Sequence, residues 1–385
     1  MPPLNNPLNF KTMSTFVEFH AIQNVPPSCL NRDDTGAPKD AMFGGWRRSR
    51  VSSQCLKRAA RKMFANSQLL NEDELGIRTR NIVQLISKKL AGKGESDAVS
   101  AIETALKAVD LSVKSREDDT PQTEYLLFLS QTGVSQLTDV IQSNLAELSN
   151  EKFQKDPKKH LKGDLKKKIA ECISTSRAVD IALFGRMLAD RKDFNVDAAA
   201  QVAHAISTNS ITRESDFFTA VDDFTQAQEA DAGMLGTVEF NSSCLYRYAA
   251  VNLDQLIKNL GHDQALAYKG VEAFLRAAAM AIPSGKQNTF AAHTLPEFVG
   301  IAVHNTQPIS LANAFQKPVW HREHENGQAA ASVVRLQEEV NKLTEAYSLN
   351  LGLRAMDLTK CWQGNTVASL DELIGQSVSA AQEKS

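Results

Sequence analysis

The sequence predicts an α+β protein, and two observations carry that reading. Four segments are rich in β-branched and aromatic residues or alternate in polarity: 14–22 (STFVEFHAI), 201–209 (QVAHAISTN), 243–253 (SCLYRYAAVNL) and 297–305 (EFVGIAVHN). Between and after them, apolar residues recur at helical spacing. A length of 385 residues allows two or three domains, or one domain with large insertions.

The elements follow in order. Residues 1–13, MPPLNNPLNFKTM, have no apolar signal core and read as a loose extension. The strand 14–22 leads into a loop marked by Pro26, Pro27, Gly36 and Pro38. Gly44 and Gly45 then free the backbone for close approach to a ligand. From Ser52 a helix is expected. Ser52 or Ser53 can cap it, and Leu56, Ala60, Met63 and Phe64 fall on one face. Lys57 and Arg61, four apart, project from a common side with Arg58 beside them.

Residues from about 70 to 195 read as mainly helical, with NIVQLISKKL and VSQLTDVIQSNLAELSN as the clearest helices. The lysine-rich run FQKDPKKHLKGDLKKKI reads as a solvated helix face. After the strand 201–209 comes an excursion from a hairpin, ITRESDFFTAVDDFTQAQEADAGMLGTVEF, and then the strand 243–253. HDQALAYKGVEAFLRAAAMAI is a second long helix, followed by the strand 297–305. The C-terminal part is helical again. Val333, Leu336, Val340, Leu343 and Tyr347 form a core stripe too short for a coiled coil. Without insertions the succession is strand, helix, strand, strand, helix, strand, the ferredoxin-like order shared by RRM domains. The RRM aromatic signature is absent, so RNA binding by stacking on the sheet is not expected.

Composition bounds the function. No apolar run approaches the roughly 18 residues of a membrane span. Five cysteines, widely spaced and with no CxxC pair, fit a reduced cytoplasmic protein. His321 and His324 could hold a metal, but a charged solvated loop is the better reading, and no metal or cofactor is expected. Charge is uneven. Residues 1–64 hold ten Lys/Arg and four Asp/Glu, a net of +6, whereas the remainder nets −8. That asymmetry points to a polyanion site near the N-terminus.

Three stretches carry candidate chemistry. FGGWRRSRVSSQCLKRAARKMF, 43–64, holds Arg47, Arg48, Arg50, Lys57, Arg58, Arg61 and Lys62 without one acid. Those charges repel one another unless neutralised, which favours nucleic-acid phosphates over a mere solubility helix. A capped helix N-terminus leading into a basic face makes a phosphate cradle. The second stretch is acidic. Phe217 and Phe218 sit among Glu214, Asp216, Asp222, Asp223, Glu229 and Asp231, opposed only by Arg213. Such a segment meets RNA only through apolar wedges or stacking. Third, Asp33 and Asp34 in LNRDD could bind Mg²⁺ and cut a phosphodiester, although a role in loop structure is the better reading. SGKQN, around Lys286, lacks the spacing of a P-loop.

At SCLNRDDTGAPKDAMFGGWRRSRVSSQCLKRAARK the chain resembles the backbone subunit of the type I-E CRISPR surveillance complex, Cascade. The resemblance continues through VDIALFGRM, AHAISTNSITRESDFFTAVDD, LGTVEFNSSCLYRYAAVNL, GKQNTFAAH and ISLANAF, from about 14 to 317. It implies a hand: a modified RRM (ferredoxin-like) palm in three parts (14–69, 199–210 and 244–318), helical fingers (70–198), a hairpin thumb (211–243) and a C-terminal helical part (319–385). It implies copies polymerised head to tail along one CRISPR RNA. Each thumb displaces one nucleotide, so that target DNA pairs in short segments. By the same resemblance Arg32, Lys39, Ser52, Gln54, Lys57, Arg58 and Arg61 grip the guide backbone, and Met187, Phe218, Thr219 and Leu235 wedge at the kink.

The implied partners are CRISPR RNA, target DNA, further copies, and the small, large, 5′-handle-binding and 3′-hairpin endoribonuclease subunits, with no membrane. Trp46 stands where the family's pattern has a basic residue, Phe217 where it has tryptophan, and the thumb is longer. The expected activity is scaffolding without catalysis. The rivals are a metal-dependent ribonuclease that cuts target RNA through Asp33 or Asp34, and a general single-strand binder.

Overall fold

The computed structural model describes residues 14–90, 95–115, 121–161, 163–174, 177–188, 191–220 and 234–384. The N-terminal extension at 1–13 and the thumb tip at 221–233 lie outside the described residues. The fold is α+β, and the chain divides into two compact units: 1–64, 201–253 and 271–385 form the first, and 65–200 with 254–270 form the second.

The first unit is built on one large sheet. Nine of its ten strands are β1 (Phe16–Ser28), β2 (Asp40–Phe43), β3 (Trp46–Val51), β4 (Ala205–Ser207), β5 (Glu214–Ala220), β6 (Met234–Asn252), β7 (Phe298–His304), β8 (Arg354–Asp357) and β9 (Asn365–Thr366); the tenth, Ala200–Val202, also pairs with β6. They lie in the order β9-β8-β7-β1-β6-β4-β3-β2, with β5 paired to β6. The four strands expected from sequence are therefore neighbours, β7-β1-β6-β4, and each adjacent pair is antiparallel. Phe16 faces both Asn252 and His304, which fixes the central register.

Central β1 is buried on both faces. Val17, Phe19 and Ala21 alternate with Glu18, His20 and Ile22, and all are buried. On the first face, Phe19 and Ala249 share a small cavity with Leu56 and Ala60 of helix α1 (Ser53–Asn66) and with Phe274 and Ala277 of helix α2 (Gln264–Met280). On the second face, Ile22, Tyr246 and Phe298 pack with Leu311, Phe315, Val333 and Leu336. The last two belong to helix α3 (Gly327–Tyr347). The expected stripe on α3 is a core face through Leu343, but Tyr347 points out, 70% exposed. The face on which an RRM would stack bases is thus roofed by the chain's own C-terminal part.

A buried polar network fixes that roof. Glu18 accepts from His304 Nε2 at 2.8 Å, from the Ile309 N–H at 2.6 Å and from the Tyr248 hydroxyl. The Tyr246 hydroxyl bonds His20 Nδ1 at 2.9 Å and accepts from the Leu311 N–H at 3.0 Å. Burial pushes the Glu18 carboxyl up, but the bonds from His304 and Tyr248 and the nearby His20 outweigh it, and the group lies below its ordinary value. Burial drives the His20 imidazole down to about 4.

Three expectations change. Residues 46–51, read as a basic segment leading into a helix, are strand β3, which forms a hairpin with β2 through Gly44 and Gly45. Those two glycines have φ of 60° and 82°, as a two-residue hairpin turn requires. The close approach at Gly44 is to the protein itself, since a Cβ there would lie 1.8 Å from the Gln316 carbonyl oxygen. The C-terminal part is not wholly helical: β8 and β9 separate α3 from helix α4 (Leu370–Lys384).

The second unit packs helices Ile82–Lys89, Glu95–Ala108, Gln131–Ser143 and Asp164–Ser174 around a core that includes Ile86, Ile102, Leu106, Leu137 and Ile169. Two small two-stranded sheets interrupt the expected helical run: Gly76–Thr79 with Leu127–Ser130, and Val113–Ser115 with Pro121–Thr123. In the lysine run, Lys155, Lys158, Lys159, Lys167 and Lys168 are exposed. Among the described residues, no helix is long and apolar enough to cross a membrane.

Candidate nucleic-acid interface

Helix α1 carries the sequence SQCLKRAARKMFAN and has no acid along its length. Ser52 caps it: its Oγ accepts from the Cys55 N–H at 3.3 Å, and its carbonyl accepts from the Leu56 N–H at 3.1 Å. The N–H groups of the first turn, at Ser53 and Gln54, lie beyond the reach of any intrahelical carbonyl. Gln54 and Arg58 are exposed, and Lys57 and Arg61 are half-buried. The Lys57 stem lies against the cavity lined by Phe19, Ala60 and Phe274, and burial lowers the pKa of its amine. Among the described residues no ion pair engages Arg58 or Lys62.

The loop that carries Arg32 and Lys39 is tied to this cap. The Ser52 N–H donates to Asn31 Oδ1 at 2.9 Å, and the Lys39 N–H donates to the Asn31 carbonyl at 2.8 Å. Arg32 is exposed and Lys39 half-buried. Seven of the residues expected to hold the guide thus gather around one helix N-terminus and the face behind it: Arg32, Lys39, Ser52, Gln54, Lys57, Arg58 and Arg61.

Three other cations of the basic segment serve the protein. Arg48 is fully buried and donates to the carbonyls of Ser207 (3.0 Å), Thr208 (2.8 Å), Phe315 (2.8 Å) and Gln316 (3.2 Å). Arg47 pairs with Asp40 at 2.5 Å. Arg50 donates to the Asp40 carbonyl at 3.1 Å and bonds His204 Nδ1 at the same distance. Part of the charge that seemed to require a polyanion is therefore satisfied internally.

The hairpin β5–β6 carries the paired phenylalanines. Phe217 faces Thr237, Phe218 faces Gly236 and Thr219 faces Leu235. Successive residues point to opposite sides, so Phe217 and Phe218 present one ring on each. They are 64% and 39% exposed, a costly arrangement for two aromatics. Thr219 is exposed; the Leu235 side chain lies outside the described residues. The hairpin root is held by Arg213, whose guanidinium bonds Asp40 Oδ2 at 3.0 Å and Glu239 at 3.4 Å. Asp40 therefore bridges the root to Arg47, a junction that the sequence did not signal because its partners are 7 and 173 positions away.

Met187 belongs to the second unit and is 83% exposed. Its neighbour Arg186 is buried and anchors the turn to the carbonyls of Phe194 (2.8 Å) and Ile173 (2.9 Å).

Asp33, of the two acidic alternatives, has structural partners. Asp33 Oδ1 accepts from the Thr35 N–H (3.0 Å), the Thr35 hydroxyl (2.7 Å) and the Ala37 N–H (3.0 Å), the closed turn that loop chemistry predicts. The Thr35 hydroxyl bond is the main cause that lowers its pKa. His324 Nε2 lies 3.6 Å from Cys361 Sγ, a contact invisible in sequence, yet no group of three potential metal ligands occurs among the described residues.

Comparison with known proteins now bears on this geometry. A chain described as "CRISPR RNA-guided surveillance complex, pre-nicking" superposes with a TM-score of 0.84 at 34% identity, covering 95% of this chain and 100% of that one. A second, described as "CRISPR RNA-guided surveillance complex", gives 0.74 at 29% identity, covering 95% and 100%. No curated protein sequence matches. The profile described as "CT1975-like protein" matches residues 17–378. The chain therefore belongs to the CT1975-like protein family.

Proposed function

We propose that this chain is the guide-RNA-binding backbone subunit of a type I-E CRISPR Cascade complex. The observation that carries the proposal is the division of labour in the first unit. An acid-free helix with a capped N-terminus gathers cations suited to phosphates, and a separate hairpin exposes two phenylalanines suited to bases. Likeness to chains of RNA-guided surveillance complexes supports the same reading.

In this account the sheet, taken as a modified RRM palm, does not stack bases, because α3 and the segment before it cover that face. Phosphates lie along α1 and the Arg32–Lys39 loop. The hairpin acts as a thumb, with Phe218, Thr219 and Leu235 displacing a base. The acidic thumb suits steric work, since its charge would repel phosphates. Copies add head to tail along the guide in an interface that does not close on itself, so the RNA and the end subunits set the length. Sequence readout belongs to base pairing with target DNA, and the subunit itself is non-catalytic. It works in the cytoplasm, in antiviral defence, beside the small and large subunits and those holding the two guide ends.

Native mass spectrometry of the chain co-expressed with a CRISPR transcript tests this reading. The expected result is a particle of several copies on one RNA. A monomer without RNA would overturn it. Incubation of the particle with complementary RNA and Mg²⁺ tests the absence of catalysis. Periodic cuts abolished by Asp33→Ala would replace the scaffold with a ribonuclease.

A further inference from the structure

Asn241 on β6 is 3% exposed, and its Nδ2 has no hydrogen-bond partner. A buried amide donor left unmade costs stability, and such groups are rare in folded proteins. Its position accounts for the orphaning. Asn241 faces Ser28 in the register, just past the irregularity between Val25 and Ser28, where the ladder opens.

The opening is a cleft lined by Asn241 and Ser243 of β6, Ser49 and Arg50 of β3, and Asn31 and Lys39 of the loop before β2. It encloses about 10 Å³, room for a single oxygen-sized group. Its lining holds two cations, three hydroxyls (Ser28, Ser49 and Ser243) and no acid. Burial, together with the nearby Arg50 and Lys39, lowers the pKa of His204, consistent with a positive local field. The cleft adjoins the cap of α1, because Asn31 both lines it and accepts the Ser52 N–H.

We infer that Asn241 is a guide-binding residue: its free amide N–H donates to one non-bridging oxygen of an RNA phosphate that enters the cleft beside Lys39 and Arg50. The inference rests on the proposed function and adds a contact from β6 at a residue that is 3% exposed, where Arg32, Gln54 and Arg58 are exposed. A phosphate oxygen suits the site better than water. Water would meet the donor, but it would leave the charge of Lys39 without a counter-charge.

The test uses the full chain with a guide RNA, measured by guide affinity and melting temperature. Asn241→Leu removes the orphaned donor at similar volume, so it should keep or raise the melting temperature while weakening guide binding about tenfold. Asn241→Asp, which sets a carboxylate against the phosphate, should weaken it further. Single phosphorothioate substitutions in the guide should interfere at one phosphate per subunit, because sulfur is too large for the cleft. Asn241→Ala should relieve that interference.

If the wild type holds guide but Asn241→Leu holds it equally, the cleft holds a structural water only and the inference fails alone. If free inorganic phosphate at millimolar levels raises the melting temperature of wild type and not of Asn241→Leu, with guide affinity unchanged, the ligand is free phosphate and the guide assignment fails. If the wild type binds no guide RNA, the inference falls together with the proposed function.

Discussion

Phe218 lies directly opposite Gly236, and its ring fills the space a side chain at 236 would need: a Cβ there would sit 2.4 Å from Phe218 Cζ. The glycine gives the ring a flat seat on the neighbouring strand, a known way for an aromatic to cover a glycine in a sheet. Gly236→Val should therefore lift the ring without touching charge. Guide retention should persist, while chemical reactivity of the displaced nucleotide falls toward that of its neighbours, as it should in Phe218→Ala. The loss is that of one stacking contact, about 1–3 kcal/mol. Unchanged reactivity in both variants would remove the wedge role.

Lys57 and Arg61 share one side of α1 and face no acid on that helix. Replacing both by alanine should weaken guide retention. It should also flatten the dependence of log affinity on log salt by about 1.4, the release of about 0.7 counterion per lost contact on a single strand. An unaltered slope would place the phosphates elsewhere.

Arg48 joins strand β3 to two distant stretches through four carbonyl oxygens. Arg48→Met keeps the bulk and leaves those carbonyls unpaired in the interior. A loss of about 2–4 kcal/mol follows, seen as a lower thermal midpoint. Arg47→Ala, removing an exposed pair, should cost about 1 kcal/mol or less. Equal effects of the two substitutions would contradict the buried role.

His20 should make the fold acid-sensitive in a defined window. Its pKa falls from 6.5 when unfolded to about 4 when folded, so the unfolded chain takes up a proton first as pH drops. The associated stability is present above pH 6.5 and is lost as pH falls to about 4. Glu18, also depressed, acts in the same direction but below its ordinary value of 4.5. His20→Gln should flatten the melting-temperature profile between these limits and leave the lower limb, which belongs to Glu18. A profile identical to wild type would mean that His20 is not buried neutral.

Much of this was legible in the residues. β1 and β7 announce themselves through β-branched and aromatic runs, and α1 through its serine cap and the spacing of Leu56, Ala60 and Phe64. β3 was not, because WRRSRV has no apolar alternation; its strand state depends on carbonyls that Arg48 meets far along the chain. The third expected strand, 243–253, proved to be the end of β6, which begins at Met234. Hydrophobic pattern marks only its sheet-buried half. The basic face of α1 and the exposed phenylalanines could be read from charge and type. Asn241 could not, because nothing in NSSCLYRY marks one asparagine as unpaired.

The length of β6 has a mechanical meaning. Nineteen residues run unbroken from the hairpin to the middle of the sheet, about 60 Å of extended backbone. The strand itself is continuous between Gly236, under the ring of Phe218, and Tyr246, bonded into the interior. The hairpin is thus a cantilever clamped at its base, and a load at its end is borne by the ladder hydrogen bonds along β1. In the proposed assembly an arm so mounted would reach the same distance in every copy, making the subunit a gauge as well as a grip.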